Sequence, residues 1–174
     1  MQPRFAVYSM QDARANAVGE YVGVGGGVIK NKLVNENSLE RFVLAQEECY
    51  EDVLSELRKG RKRAHWMWFI FPQLKGLGQS ENSEYFGLSG ENEARRYWDH
   101  PVLGYRYREC VELLLKADAS VDVVLGKIDA IKLQSSLTLF DFSVPDNELL
   151  KNSLSNFFDG SKDDLTIHML IRPI

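Results

Sequence analysis

The sequence predicts an all-α fold, a compact single-domain array of about six helices with an irregular N-terminal extension. Three observations carry this prediction. From residue 38 onward, apolar residues recur at three- and four-residue steps, the breaks between those runs hold Gly, Pro, Ser, Asp and Asn at capping positions, and sustained two-residue alternation is missing. With 174 residues, 44% hydrophobic and 26% charged, the chain can bury a core without disulfide or metal staples. The same composition excludes a disordered, collagen-like or coiled-coil chain.

Residues 1–37 read as a flexible or weakly structured extension. They hold five of the 13 glycines, including Gly23 and Gly25-Gly26-Gly27, and show no sustained helical period. Short β pieces are conceivable around Phe5–Ser9 and Tyr21–Val24. The glycine cluster is no dinucleotide fingerprint, since Val28 stands where a third small residue should open a helix, and no Gly-Lys-Ser/Thr end makes it a P-loop. A linker or tight turn is the reading.

The all-α domain is placed at residues 38–174. Phe42, Ala45, Cys49, Val53 and Leu57 predict one long first helix, capped by Asn37 or Ser38 and closed by Gly60 as a left-handed C-cap. A short helix is expected from Glu91 to Trp98. Asp99 then caps a third, with Pro101 in its first turn and Leu103, Tyr107, Cys110, Val111 and Leu114 inward. A short turn runs from Ser120 to Gly126, and a helix from Asp129 through Phe140. Pro145-Asp146 opens another, with Leu149, Leu150, Leu154 and Phe157. Ser161 and Asp164 form a capping box before Leu165–Leu170.

The net charge of -4 argues against a surface given over wholly to nucleic acid or anionic membrane. The extension carries four basic and three acidic residues, so residues 38–174, with 17 against 22, carry the acidity. The longest apolar run, Trp66 to Phe71, is far short of the ~20 residues that span a bilayer. Phe5-Ala6-Val7 is too short for a signal-peptide core, which points to a cytoplasmic protein of bacterial type. Cys49 and Cys110 lack metal spacing and fall on apolar helix faces, as reduced core thiols do.

The unusual chemistry lies in Arg58-Lys59-Gly60-Arg61-Lys62-Arg63-Ala64-His65 and the run Trp66-Met67-Trp68-Phe69-Ile70-Phe71-Pro72-Gln73 that follows. The bland account makes the cations a solvated face at a helix end and the aromatics core. The functional account is an anion site with an aromatic wall. Gly76 and Gly78 turn backbone N–H groups inward, Lys75 and Ser80 add a cation and a hydroxyl, Arg61 adds a second cation, and Trp66 or Trp68 stacks a ring. His65 follows a cationic run and His100 precedes a helix. Both settings favour the neutral imidazole that serves as a base. His168 reads as structural, and the three His residues have no zinc-ligand spacing. Lys132, Ser135, Ser136 and Thr138 place a cation and three hydroxyls in one helix, either lining a cleft or bonding back to carbonyls four residues earlier.

These residues carry a family resemblance. His65 to Ser80, with His-Trp-Met-Trp-Phe-Ile-Phe-Pro-Gln and Gly-Leu-Gly-Gln-Ser, resembles a signature of the bacterial family catalogued as domain of unknown function 1810. His100-Pro101-Val102-Leu103-Gly104 with Arg106, and Lys132 through Phe140, resemble its other two motifs. The resemblance spans about Leu39 to Leu170 and implies a compact all-α fold without an activity to carry over. Members sometimes bear the label calpastatin, which no repeat in this chain supports. Tyr107 stands where the family usually has Leu, and Leu137 where Met is common, departures that bear on packing.

The function expected first is a small-molecule site for an anionic, nucleotide-like ligand, with transferase or hydrolase chemistry compatible. In it His65, His100 and Ser135 take the catalytic roles, and Arg61, Trp66, Trp68, Gln73, Lys75, Ser80, Lys132, Ser136 and Thr138 bind. No cofactor and no metal is expected. The alternative is a non-catalytic adaptor or nucleic-acid/protein-binding module that uses the Arg58–Arg63 patch.

Overall fold

Helix after helix follows residue 38 in the computed structural model, which describes residues 38–172. In chain order they are α1 (Glu40–Glu47), α2 (Tyr50–Arg58), α3 (Met67–Ile70), α4 (Glu81–Tyr85), α5 (Glu91–Asp99), α6 (Leu103–Leu115), α7 (Val121–Leu125), α8 (Lys127–Ser143), α9 (Glu148–Phe158) and α10 (Asp164–Ile171). The all-α class is as expected; the number is ten among the described residues, not about six. The expectations for residues 1–37 lie outside the described residues.

Four helices account for the difference. The long first helix is two, broken at Glu48-Cys49. Glu47 and Glu51, like Glu48 and Asp52, would sit one turn apart on a continuous helix, where like charges repel. Two short helices, α3 and α4, occupy the stretch read as aromatic run and glycine loop. The Ser120–Gly126 turn is helical as α7.

Several caps differ from expectation. Asp99 ends α5 instead of starting α6. The N–H groups of Val102 and Leu103 donate to His100 Nδ1 at 3.2 and 3.3 Å, so the imidazole is the cap. The helix expected from Asp129 begins at Lys127 after Gly126. Asn147, not Pro145-Asp146, caps α9, and Asp163, not Ser161, caps α10 by accepting from Thr166 N–H at 2.9 Å. Gly60 behaves as read. At φ +65° it closes α2, its N–H donating to Leu57 O while Arg61 N–H donates to Glu56 O, both short enough to retire carbonyls the helix end leaves open.

α8 is the central helix. Ala130, Leu133, Leu137, Leu139 and Phe140 are buried, and so are Ser135, Ser136, Thr138 and Ser143, because α3, α5, α7, α9 and α10 pack around it. Its hydroxyls survive burial by bonding back: Ser135 to Ile131 O at 3.2 Å, Thr138 to Gln134 O at 2.8 Å and Ser143 to Leu139 O at 2.8 Å. Phe140 centres an aromatic cluster with Tyr107 (centroids 4.5 Å apart), Tyr97 (5.5 Å) and Trp98 (5.8 Å), while Phe71 meets Tyr107 edge-on at 5.3 Å. Gly104 lets α6 close on the end of α5, where a Cβ would stand 1.9 Å from Trp98 O.

Candidate functional site

Two lysines, one aspartate and two tryptophans form the densest charged and aromatic group. Lys62 Nζ lies 2.7 Å from Asp129 Oδ2, and Lys132 Nζ 2.9 Å from Asp129 Oδ1, one turn along α8. Each ammonium also covers an indole: Lys62 stands 5.1 Å from the Trp66 centroid and Lys132 4.5 Å from that of Trp68. Burial opposes ionisation of Asp129, but hydrogen bonds and charge from both lysines outweigh it and lower the carboxyl below its usual range.

The loop from α2 to α3 is pinned into this group by Glu56. Its carboxylate accepts from the N–H groups of Arg63 (2.8 Å) and Ala64 (3.2 Å) and from Trp66 Nε1 (2.9 Å). Burial works against its charge too; the Arg63 and Ala64 amides, the Trp66 indole and the Lys62 charge prevail and lower its pKa. On the other side Lys62 N–H donates to Val124 O at 2.7 Å, tying the loop to α7.

Beside Trp68 lies a small surface cleft, open to solvent and lined by Trp68, Gln73, Leu74, Gly78, Ser83, Phe86 and Gly87. Its floor comes from a single parallel β-bridge between Leu74 and Leu88, in which Lys75 N–H donates to Leu88 O (2.8 Å) and Leu88 N–H to Gln73 O (2.9 Å). That pairing explains Gly87, and the close approach of Ser83 explains Gly78. A Cβ on Gly87 would sit 2.6 Å from Lys75 Cα, and one on Gly78 2.7 Å from Ser83 Cβ.

The structure thus joins some of the residues singled out in the sequence and separates others. Trp66, Trp68 and Lys132 meet around Asp129, and Trp68 meets Gln73 in the cleft. Trp66 is 1% exposed with its N–H engaged, so its ring is core and Trp68, half-buried, is the one with an open surface. Of the residues expected to form a phosphate nest, Lys75 pairs with Glu84 at 3.0 Å, and Ser80 caps α4 by accepting from Ser83 N–H at 3.1 Å. Ser135, Ser136 and Thr138 are buried. Ser135 bonds back along α8, Ser136 lies 3.1 Å from the Tyr107 hydroxyl, and Thr138 also accepts from Asp163 N–H at 2.9 Å. Burial from all sides leaves those hydroxyls only protein partners. His65 and Arg61 are exposed, and His100 is occupied as a cap, so no hydrogen bond joins any two of His65, His100 and Ser135 among the described residues.

Sequence reasoning missed Glu56 and Asp129, the carboxylates that organise the group. The Asp129/Lys132 spacing of three was a usable signal; nothing local marked Glu56. A second polar cluster was missed as well. Gln46, fully buried, donates to Phe69 O (2.7 Å) and Tyr97 OH (3.0 Å) and accepts from Arg106 (3.4 Å). The Arg106 guanidinium stacks 4.5 Å over Tyr50, whose hydroxyl donates to Glu109 at 2.6 Å. These partners satisfy one another and lock α1, α2, α3, α5 and α6 together. Among the described residues no three His, Cys, Asp or Glu side chains are grouped to hold a metal, and no helix is long and apolar enough to cross a membrane.

The architecture is similar to a solved structure, the crystal structure of the conserved hypothetical protein Rv1873 from Mycobacterium tuberculosis. That protein is 40% identical over 79% of this chain and 99% of its own, with a TM-score of 0.76. No curated protein matches the sequence. A family model, described as protein of unknown function (DUF1810), matches residues 36–170, and the chain belongs to that family.

Proposed function

We propose that the protein binds a small anionic molecule with a planar ring, nucleotide-like in chemistry, at the cleft that Trp68 walls. The observation that carries this reading is the double role of Trp68. Its half-buried ring lines the cleft with Gln73 and Ser83, and the Lys132 ammonium stands 4.5 Å from the ring centroid. A planar ligand gains stacking area from the indole and hydrogen bonds from the Gln73 amide. Lys132 is 24% exposed and has three N–H donors, of which Asp129 takes one, so an anionic substituent has a cation to meet. The cleft is open to solvent, so a ring laid against Trp68 can extend its substituent toward Lys132.

The geometry favours binding over chemistry. His100 Nδ1 is spent on two backbone amides and Ser135 on a carbonyl, so neither is poised as base or nucleophile. The test is a panel of nucleoside monophosphates, with adenosine and inorganic phosphate as part-ligands. Binding raises the melting temperature and quenches tryptophan emission, and both responses are lost in Trp68→Ala and Lys132→Gln while the fold persists. If no monophosphate produces either response, or the variants respond as the parent does, the cleft is not the site.

A further inference from the structure

We propose a second, separate surface: α7, the first turns of α8 and the Arg61–Arg63 loop form a docking site for an acidic segment of a partner protein that carries apolar side chains. Val123 on α7 and Ile128 and Ile131 on α8 are 67%, 73% and 61% exposed. Lone exposed aliphatics are ordinary, but these three lie on two helices joined through Gly126, and Ile128 and Ile131 share one helix face at a spacing of three. Together they expose an apolar area on the order of a few hundred Å², the size at which a patch on a monomer carries meaning.

Charge decides what covers it. Lys62 anchors the basic loop here through its N–H on Val124 O and its Nζ on Asp129, next in sequence to Val123 and Ile128. Arg61 and Arg63 flank that anchor, and Lys127 opens α8. All three are exposed and form no ion pair among the described residues. The carboxylates Asp129, Glu56 and Asp122 set three negative charges against the five positive ones of Arg61, Lys62, Arg63, Lys127 and Lys132. The local sign is therefore positive in a chain whose net charge is -4. Cations around aliphatic anchors complement acidic residues around apolar ones.

Other anionic partners fit less well. Single-stranded nucleic acid is held by aromatic platforms along a basic groove, and three aliphatic side chains offer no stacking. A membrane surface would need a helix lying flat in the interface. α7 has five residues, and α8 is the central helix of the domain, packed on several sides beyond its first turns. The exposed area is smaller than the ~800 Å² per partner of a standard interface, so the contact belongs to the transient class.

The experiment selects a random-sequence displayed peptide library on the full chain and measures recovered peptides by fluorescence anisotropy. The expected result is enrichment of acidic sequences with spaced Leu, Ile, Phe or Val. Binding of the best peptide should weaken about ten-fold or more in Ile128→Ser/Ile131→Ser and in Arg61→Glu/Arg63→Glu, and fall as salt rises. Both variants change exposed side chains, and unchanged circular dichroism and melting temperature confirm the fold. Failure to enrich any peptide, or enriched peptides indifferent to both variants, overturns the proposal. So does a finding that phosphatidylserine vesicles or a single-stranded oligonucleotide, and not peptides, bind with sensitivity to those substitutions. None of these variants replaces a residue that lines the Trp68 cleft, and nucleoside monophosphate binding measured on the same variants distinguishes failure of one reading from failure of the other.

Discussion

Replacing Asp129 with alanine removes the carboxylate that two lysines share. Lys62 is the side chain at risk, because its side chain is 7% exposed and, among the described residues, has no second carboxylate within ion-pair distance. A charge stranded at that depth costs about 3–5 kcal/mol. Two features reduce the loss. The Trp66 ring, 5.1 Å from the ammonium, keeps about 0.5–2 kcal/mol of cation–π attraction, and Lys132, 24% exposed, can turn toward water. The net loss should be about 2–3 kcal/mol, a fall of about 6–12 °C in melting temperature for a domain of this size. Urea denaturation followed by circular dichroism measures it. Lys62→Met/Asp129→Leu should recover most of the stability, because a buried ion pair replaced as a unit strands nothing. A loss under about 1 kcal/mol, or a double variant no better than Asp129→Ala, would refute the reasoning, since Lys62 would then be solvated without its partner.

Four further outcomes follow from the packing and the charges. Gly104→Ala should prevent folding or cost more than about 3 kcal/mol, because its Cβ would stand 1.9 Å from Trp98 O, whereas Gly60→Ala meets nothing within 4 Å and should cost about 1 kcal/mol for its left-handed backbone; thermal melts rank the two. The lowered pKa values of Asp129 and Glu56 mean that the folded state prefers both carboxylates ionised. Their contribution is present above the ordinary carboxylate range near pH 4 and is lost as pH falls through and below it, so acid unfolding should be shallower in Asp129→Asn. Burial pushes the Cys49 thiol up to about 11 and that of Cys110 up to about 12, so at pH 8 a thiol reagent should label neither quickly until denaturant is added. A chain that starts at residue 38 should unfold cooperatively, which calorimetry can check.

Helical period and end signals were enough to read the all-α class, the closing role of Gly60 and the place of α5, because each of these depends on neighbours within a turn or two. At α8 the same local signals left two accounts open, a cleft lining and back-bonding to carbonyls, and the structure shows the second. A run with hydroxyls at positions 135, 136 and 138 looked two-sided, yet five helices surround it, and back-bonding to its own carbonyls made the hydroxyls compatible with burial. The break after α1 and the short α3 and α4 escaped because helices this short get their stability from packing, not from propensity.

What the sequence determined about the site was its materials: the basic loop, the two tryptophans, the glycine-spaced turn and Lys132. Their assignment was decided by tertiary structure. Trp66 and Trp68, two positions apart, differ only in what lies over them, Glu56 and the core for one, Lys132 and a cleft for the other. The Lys62, Asp129 and Lys132 triad joins α8 to a loop far away in the chain, and no local pattern ranks Asp129 above the other carboxylates. Period and capping report forces between residues close in sequence. A charge pair that closes a long loop forms only after the hydrophobic core has brought its members together, and so only the folded chain reveals it.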